Sequence, residues 1–197
     1  MAEKHGSPAL GVLELEHIAR GVLCADAVHK RTVIELLASR PVSGGKHLLY
    51  LRGEVAEMEE AMSIGVEIAG ESLVDSLFLP MADLQLWPGI PDSKNPDEIG
   101  YGEMWSSDVI LSAAIVETST ICSLLAAMDA ACKETEVTVR DMRLGIGIMG
   151  KAFFTMTGEL CDIEAAADAA RAAADQQLLA LEVIPAPANE IIGQLIQ

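Results

Sequence analysis

The stretch RLGIGIMGKAFF, Arg143 to Phe154, carries the residues of this chain best suited to hold a phosphate. Gly145, Gly147 and Gly150 satisfy G-x-G-x-x-G, and Gly145, Gly150 and Lys151 satisfy all but the last position of the P-loop pattern G-x-x-x-x-G-K-[ST]. Both patterns need the glycines to lead into a helix, because its N-terminal N–H groups and dipole hold the anion. The residues that follow are KAFFTMTGE, in which Phe153, Phe154, Thr155 and Thr157 favour a strand. Ala152 also stands where a P-loop needs a hydroxyl for magnesium. The chemistry of this stretch therefore points away from a nucleotide and towards a turn between strands.

The other reactive side chains form no constellation. Glu14 and Glu117 could pair for acid–base work, but no histidine, cysteine or hydroxyl nucleophile accompanies both, which favours a structural polar role. Cys24, Cys122, Cys132 and Cys161 contain no C-x-x-C, and cysteine in alanine-rich helical surroundings acts as a small buried hydrophobe. His5, His17, His29 and His47 lack ligand spacing, so no metal and no cofactor is expected.

A formal charge of −17, from 30 acidic against 13 basic residues, repels nucleic acid and anionic membrane surfaces. The N-terminal MAEKHGSPALG lacks the basic flank and apolar core of a signal peptide, and no apolar run reaches the roughly 18 to 20 residues of a membrane span. The expectation is a cytosolic protein that binds neither nucleic acid nor membrane. Hydrophobic residues make up 51% and aromatics 4%, a mix that suits close-packed helices and subunit contacts.

The elements that position these residues occur twice. Ala9 to Lys30 aligns with Ser112 to Lys133, placing Glu14 on Glu117, Asp26 on Asp129 and Lys30 on Lys133, an offset of 103. Gly44 to Glu54 aligns with Met149 to Glu159 at an offset of 105, so one hairpin is longer by two residues. Two units are expected, at 8–90 and 108–197, joined by a Pro-, Gly- and Ser-rich linker at 91–107. Within each, a short strand leads into a helix, on which Ile18, Val22, Ala25 and His29 recur at helical spacing in the first copy. Two strands follow, Val33 to Ser39 and His47 to Gly53, around a Gly-rich turn; then a helix from Val55 to about Gly70 with Val55, Met58, Met62 and Ala69 on one face; then a strand, Leu73 to Pro80. The order β-α-β-β-α-β is that of a ferredoxin-like α/β sandwich. The matching loops, RPVSGGKH and RLGIGIMGKA, share only the final Gly-Lys, which again suggests a tight loop tip rather than a phosphate cradle.

The full ordered set, present twice, resembles bacterial microcompartment shell proteins of the tandem-domain, single-layer trimeric type: a first strand ending L-E-L or V-E-T, a helix ending with lysine, a glycine-rich hairpin, a Gly-Glu turn into the second helix, and a strand closing on Leu-Pro or Ile-Pro. The strand order is that of the unpermuted domain. One departure is that the Arg-Pro pair common after the closing strand is replaced by Met81 and Ala82 in one copy and by Ala186 and Pro187 in the other.

The resemblance implies a homotrimer of two BMC domains per chain, a pseudohexameric tile in a shell within the bacterial cytoplasm. The implied partners are other shell hexamers and pentamers, with encapsulated enzymes as further candidates. It implies inter-tile edge roles for Lys30 and Lys133, and a central pore for small metabolites lined by Val42, Ser43, Gly44 and Gly45 with Gly147, Ile148, Met149 and Gly150. Some trimeric relatives hold an iron–sulfur cluster through a cysteine that aligns with Ser43; a hydroxyl does not ligate such a cluster, so none is expected. The competing reading is a cytosolic ligand-binding or regulatory trimer of ferredoxin-like fold, with an enzyme third.

Overall fold

The computed structural model describes residues 8–94 and 111–192; most of the expected linker, 95–107, lies outside them. The first unit runs β1 (Ala9–Leu15), α1 (Ile18–Arg31), β2 (Glu35–Pro41), β3 (His47–Gly53), α2 (Val55–Ala69) and β4 (Leu73–Leu79). The second runs β5 (Ser112–Thr118), α3 (Ile121–Glu134), β6 (Thr138–Leu144), β7 (Ala152–Gly158), α4 (Leu160–Ala174) and β8 (Leu178–Pro185), followed by a short α5 (Asn189–Ile192). A 3-10 turn, Leu84–Gly89, follows β4.

Each unit forms a four-stranded antiparallel sheet, ordered β2-β3-β1-β4 and β6-β7-β5-β8. Even the irregularities repeat: bulges at Leu36/Ala38 and Glu14/Leu15 recur at Val139/Asp141 and Glu117/Thr118. The two extra residues fall between β6 and β7, as the change of offset requires.

Alternation along the strands gives each sheet two faces. In the first unit Ala9, Leu13, Leu15, Leu49 and Leu51 pack on Cys24, Ala25 and Val28 of α1 and on Met58, Ala61 and Met62 of α2. The other face, with Leu10, Val12, Leu48 and Tyr50, is covered by the second unit, with Ile121, Cys122 and Leu125 of α3 in the same cluster and Sγ of Cys122 3.7 Å from the Val12 carbonyl. The two apolar faces of the first sheet need two partners, and here the second partner is the second domain.

The structure differs from the sequence expectations in three places. β2 starts at Glu35, because Val33 is almost fully exposed where the chain leaves α1. On α2, Val55 is exposed while Met58, Met62 and Ala69 are buried. The third difference matters most: the stripe Ile18, Val22, Ala25, His29 is not the inner face of α1, since Ile18 and Val22 are 44% and 56% exposed, and the buried residues are Gly21, Cys24, Ala25 and Val28. The counterparts of the exposed pair, Ile121 and Leu125 of α3, are fully buried against the first domain.

The close fit of α1 is set by one exchange of volume. A Cβ on Gly21 would lie 2.2 Å from Cδ2 of His47, so the imidazole occupies the space that a side chain at Gly21 would fill. In the second copy the same two positions are Leu124 and Ala152, both buried. His47 is 1% exposed and its Nε2 is 2.8 Å from Oγ of Ser39, while burial pushes its pKa down.

Candidate functional site

The two glycine-rich tips meet. Ser43–Gly45 forms a 3-10 turn between β2 and β3, and the loop 145–151 joins β6 to β7. The backbone N–H of Ser43 donates to the Gly145 carbonyl at 3.2 Å, and the Gly147 N–H donates to Oγ of Ser43 at 2.9 Å. A Cβ on Gly150 would lie 2.8 Å from the Ser43 carbonyl oxygen, and one on Gly44 would lie 3.3 Å from that of Met149. Gly44 and Gly150 also have φ of 83° and 78°, a region L-residues with a Cβ rarely adopt. The glycines therefore serve a backbone-to-backbone contact of two loops. The strand β7 begins directly after Lys151, so the loop leads into a strand and not into the helix that both phosphate motifs require.

Of the eight residues expected at the tips, Val42 and Gly150 are buried behind the turn, Ser43 and Ile148 are half-buried, and Gly44, Gly45, Gly147 and Met149 are exposed, Met149 to 85%. Ile146, exposed and on the same loop, was not anticipated.

Behind the tips sits a polar clasp in which Glu14 takes the structural polar role expected of it. Glu14 is fully buried; its Oε1 accepts from Nζ of Lys46 at 2.7 Å, and its Oε2 accepts from the backbone N–H of Ile121, the first residue of α3, also at 2.7 Å. Lys46 also reaches the Ser119 carbonyl at 3.4 Å. Burial drives the Glu14 carboxyl above its ordinary 4.5, against the pull of Lys46 and the Ile121 N–H, so loss of water outweighs the pairing. Beside it, Asp75 on β4 accepts from the hydroxyls of Thr120 at 2.5 Å and Ser123 at 3.1 Å. The signal for this clasp was in the repeat: Glu14 and the Gly-Lys pair are both present twice.

The 3-10 turn after β4 finishes the contact. The Gln85 side-chain amide donates to the Val137 carbonyl and accepts the Val139 N–H, both at 2.9 Å, which caps the exposed edge of β6. The Trp87 ring lies 6.0 Å from the Arg52 guanidinium on the first domain.

The two expected edge lysines differ in setting. Lys30 is exposed and pairs with Asp26 at 2.8 Å. Lys133 pairs with Asp129 at 2.6 Å and also donates to the Met81 carbonyl at 2.6 Å, so it ties its helix to the segment after β4. The carboxylate of Asp129 receives the Asp83 N–H as well, at 2.8 Å. Where the Arg-Pro pair was missing, Ala82 is buried and Ala186 has a φ of 47°.

Cys24 and Cys122 are buried, Cys132 is half-buried with its thiol pushed up to about 12 by burial, and Cys161 is exposed. Among the described residues, no cluster of three or more His, Cys, Asp or Glu is placed to hold a metal, and no helix is long and apolar enough to cross a membrane.

This arrangement, two copies of one sandwich with the second laid on the open face of the first, matches known proteins over nearly the whole chain. The BMC domain matches twice, at residues 9–82 and 112–187. The chain belongs to the BMC domain family. Bacterial microcompartment shell protein PduT of Citrobacter freundii is 32% identical over 193 residues, covering 97% of this chain and 99% of that protein. The crystal structure of a microcompartment protein from Desulfitobacterium hafniense DCB is similar at 30% identity and a TM-score of 0.76, covering 95% of this chain and 99% of that one. A fused permuted hexameric shell protein from the RMM microcompartment shares the fold, with a TM-score of 0.58 at 18% identity over 84% of this chain and 80% of its own. Both BMC domains here keep the helix-after-first-strand order, with the tips at the β2–β3 and β6–β7 hairpins.

Proposed function

We propose that this protein is a structural component of a bacterial microcompartment shell, working in the bacterial cytoplasm as a homotrimer. Three chains supply six BMC domains, which form a pseudohexameric tile. The observation that carries this reading is the contact inside one chain: α3 of the second domain covers the outer sheet face of the first, while the counterparts of that contact, Ile18 and Val22 on α1 and Ile115, Phe153 and Ile184 on the second sheet, stay exposed or half-buried. Such a contact is head-to-tail, and repeated head-to-tail contacts close into a ring when the rotation per step closes, as three chains of two like domains would at about 120° per chain.

In the ring the paired tips of each chain face the axis, where Ser43, Gly44, Gly45, Gly147, Ile148 and Met149 line a narrow opening for small metabolites. These residues offer hydroxyl, backbone and apolar surface and no formal charge. Lys30 lies on the outer edge, where the tile meets other shell hexamers and pentamers. The role is structural rather than catalytic.

The test is a mass measurement on purified protein, followed by co-expression with a hexameric shell protein. A mass of about three times 20.9 kDa and recovery in assembled shells support the reading. A monomer, or a trimer that binds an effector tightly and never enters a shell, counts against it.

A further inference from the structure

We infer that Glu117 of one copy, paired with its own Lys151, caps the N-terminus of α1 in the neighbouring copy, so that the seam between chains is closed by the same clasp that Glu14 and Lys46 form within a chain. The inference rests on the trimer proposed above and adds the residues that hold it.

Four observations on the described residues converge. First, Glu117 and Lys151 are the repeat counterparts of Glu14 and Lys46, at offsets of 103 and 105, and the strand register agrees: Glu14 pairs with Leu48 and Asp75, Glu117 with Phe153 and Ala180. Second, Glu117 is only partly buried and Lys151 is exposed, whereas Glu14 is fully buried. Third, α3 receives the Glu14 carboxylate at Ile121 and the Thr120 hydroxyl at Ser123, whereas α1 has no side-chain cap at His17, its own N-cap residue. Fourth, the exposed Ile18 and Val22 on α1 and the half-buried Ile115, Phe153 and Ile184 on the second sheet are counterparts of residues that meet inside the chain.

A carboxylate on the first N–H groups of a helix satisfies donors that the helix itself leaves unpaired, and its charge complements the dipole. A second copy is the one occupant that brings a carboxylate, a lysine and an apolar sheet face in this arrangement to α1. The two seams are not identical. Ala180 stands where Asp75 stands, and His17 and Arg20 stand where Thr120 and Ser123 stand, so the hydrogen bonds of Asp75 have no counterpart between chains. The Glu117 clasp therefore carries a larger share of its seam than Glu14 does of its own.

The experiment has two arms. In the first, trimer mass is followed on dilution for the parent, Glu117→Gln and Lys151→Met, with circular dichroism to check that each variant is folded. The parent is expected to remain trimeric to lower concentrations, and each variant to dissociate at a concentration higher by at least about 10- to 100-fold, because every seam of the trimer loses one charge-assisted hydrogen bond. In the second arm, two differently tagged chains with Cys161→Ser are co-expressed, one bearing Lys151→Cys and the other Glu16→Cys. Glu16 is the counterpart of Ser119, whose carbonyl Lys46 approaches. A short bis-maleimide should then link the two tags at about twice 20.9 kDa. A trimeric parent with variants that dissociate alike and no cross-tag product overturns the clasp while the trimer stands. A monomeric parent removes the trimer, and the clasp with it.

Discussion

The carboxylate of Glu14, in the first domain, holds the N–H of Ile121, in the second, at 2.7 Å, and so pins the start of α3 to the middle strand of its neighbour. Removing it strands two groups at once, the Ile121 N–H and the largely buried ammonium of Lys46. Glu14→Ala is predicted to destabilise the chain by about 3–5 kcal/mol, the cost of breaking a buried pair on one side. Glu14→Gln keeps an acceptor for Ile121 and should cost less. Urea unfolding of both variants checks the order; equal losses would mean that the contact is not a cap.

Two carboxylates of the first domain should respond to acid with opposite sign. Glu35, bound by Lys94 at 2.6 Å and by Arg52, is held below its ordinary 4.5 by those hydrogen bonds, so its contribution is present above that value and is lost as pH falls through the folded pKa. Glu14 is raised by burial, so the folded state holds its proton more tightly than the unfolded chain does, and its contribution grows as pH falls from the raised value towards 4.5. Carboxyl titration by NMR should place Glu35 below Glu14, and Lys94→Ala should move Glu35 upward while leaving Glu14 in place.

Gly21 and His47 should behave as a coupled pair. Gly21→Leu alone drives a side chain into the imidazole and is predicted to cost about 1–3 kcal/mol or more, and His47→Ala alone leaves a cavity costing about 2–5 kcal/mol. Together they reproduce Leu124 and Ala152 of the second domain and should cost less than the sum by more than about 1 kcal/mol. A double-mutant cycle from thermal unfolding gives the coupling directly; additivity would refute the exchange of volume.

Contact between the tips makes Gly150→Ala a test of the loop geometry. The substitution meets both a φ of 78° and a carbonyl oxygen at 2.8 Å, so a loss of about 2–4 kcal/mol is predicted, whereas Gly147→Ala, with a φ of 78° and nothing within 4 Å of the added atom, should lose only the backbone strain of about 1 kcal/mol. Ser43→Trp should slow metabolite passage through reconstituted shells without changing trimer mass. Unaltered flux would take Ser43 out of the opening.

Edge contacts are tested most simply at Lys30. Its pair with Asp26 is exposed and worth no more than about 1 kcal/mol, so Lys30→Glu should fold and trimerise normally yet fail to form sheets. Lys133→Glu is a less direct test, because it also breaks the bond to the Met81 carbonyl and sets a like charge beside Asp129. Normal sheets from Lys30→Glu, seen by electron microscopy, would end the edge assignment.

The order of elements was legible because the chain states it twice: periodicity, the Gly-rich turns and the repeated Gly-Lys each mark the same hairpin in both copies. The spacing of Ile18, Val22, Ala25 and His29 made α1 legible as a helix, but not which of its faces is buried: Gly21, Cys24, Ala25 and Val28 are. Helical spacing identifies a face but not what covers it, and α1 carries two apolar faces, one for its own sheet and one left open. The clasp was hidden for a related reason: Glu14 meets Ile121 across 107 residues, and nothing local to either residue announces the other. The identity of the loop residues was readable, whereas their contact, Gly147 on Ser43, needed the two domains to be placed together.

The most direct measurement of the central claim is electron microscopy of the purified protein with two-dimensional averaging. The account predicts three-fold particles of hexagonal outline with a central opening at the Ser43 and Met149 tips, packing edge to edge into sheets. Particles of one chain, or closed oligomers with those tips on the rim and no lateral packing, would contradict it.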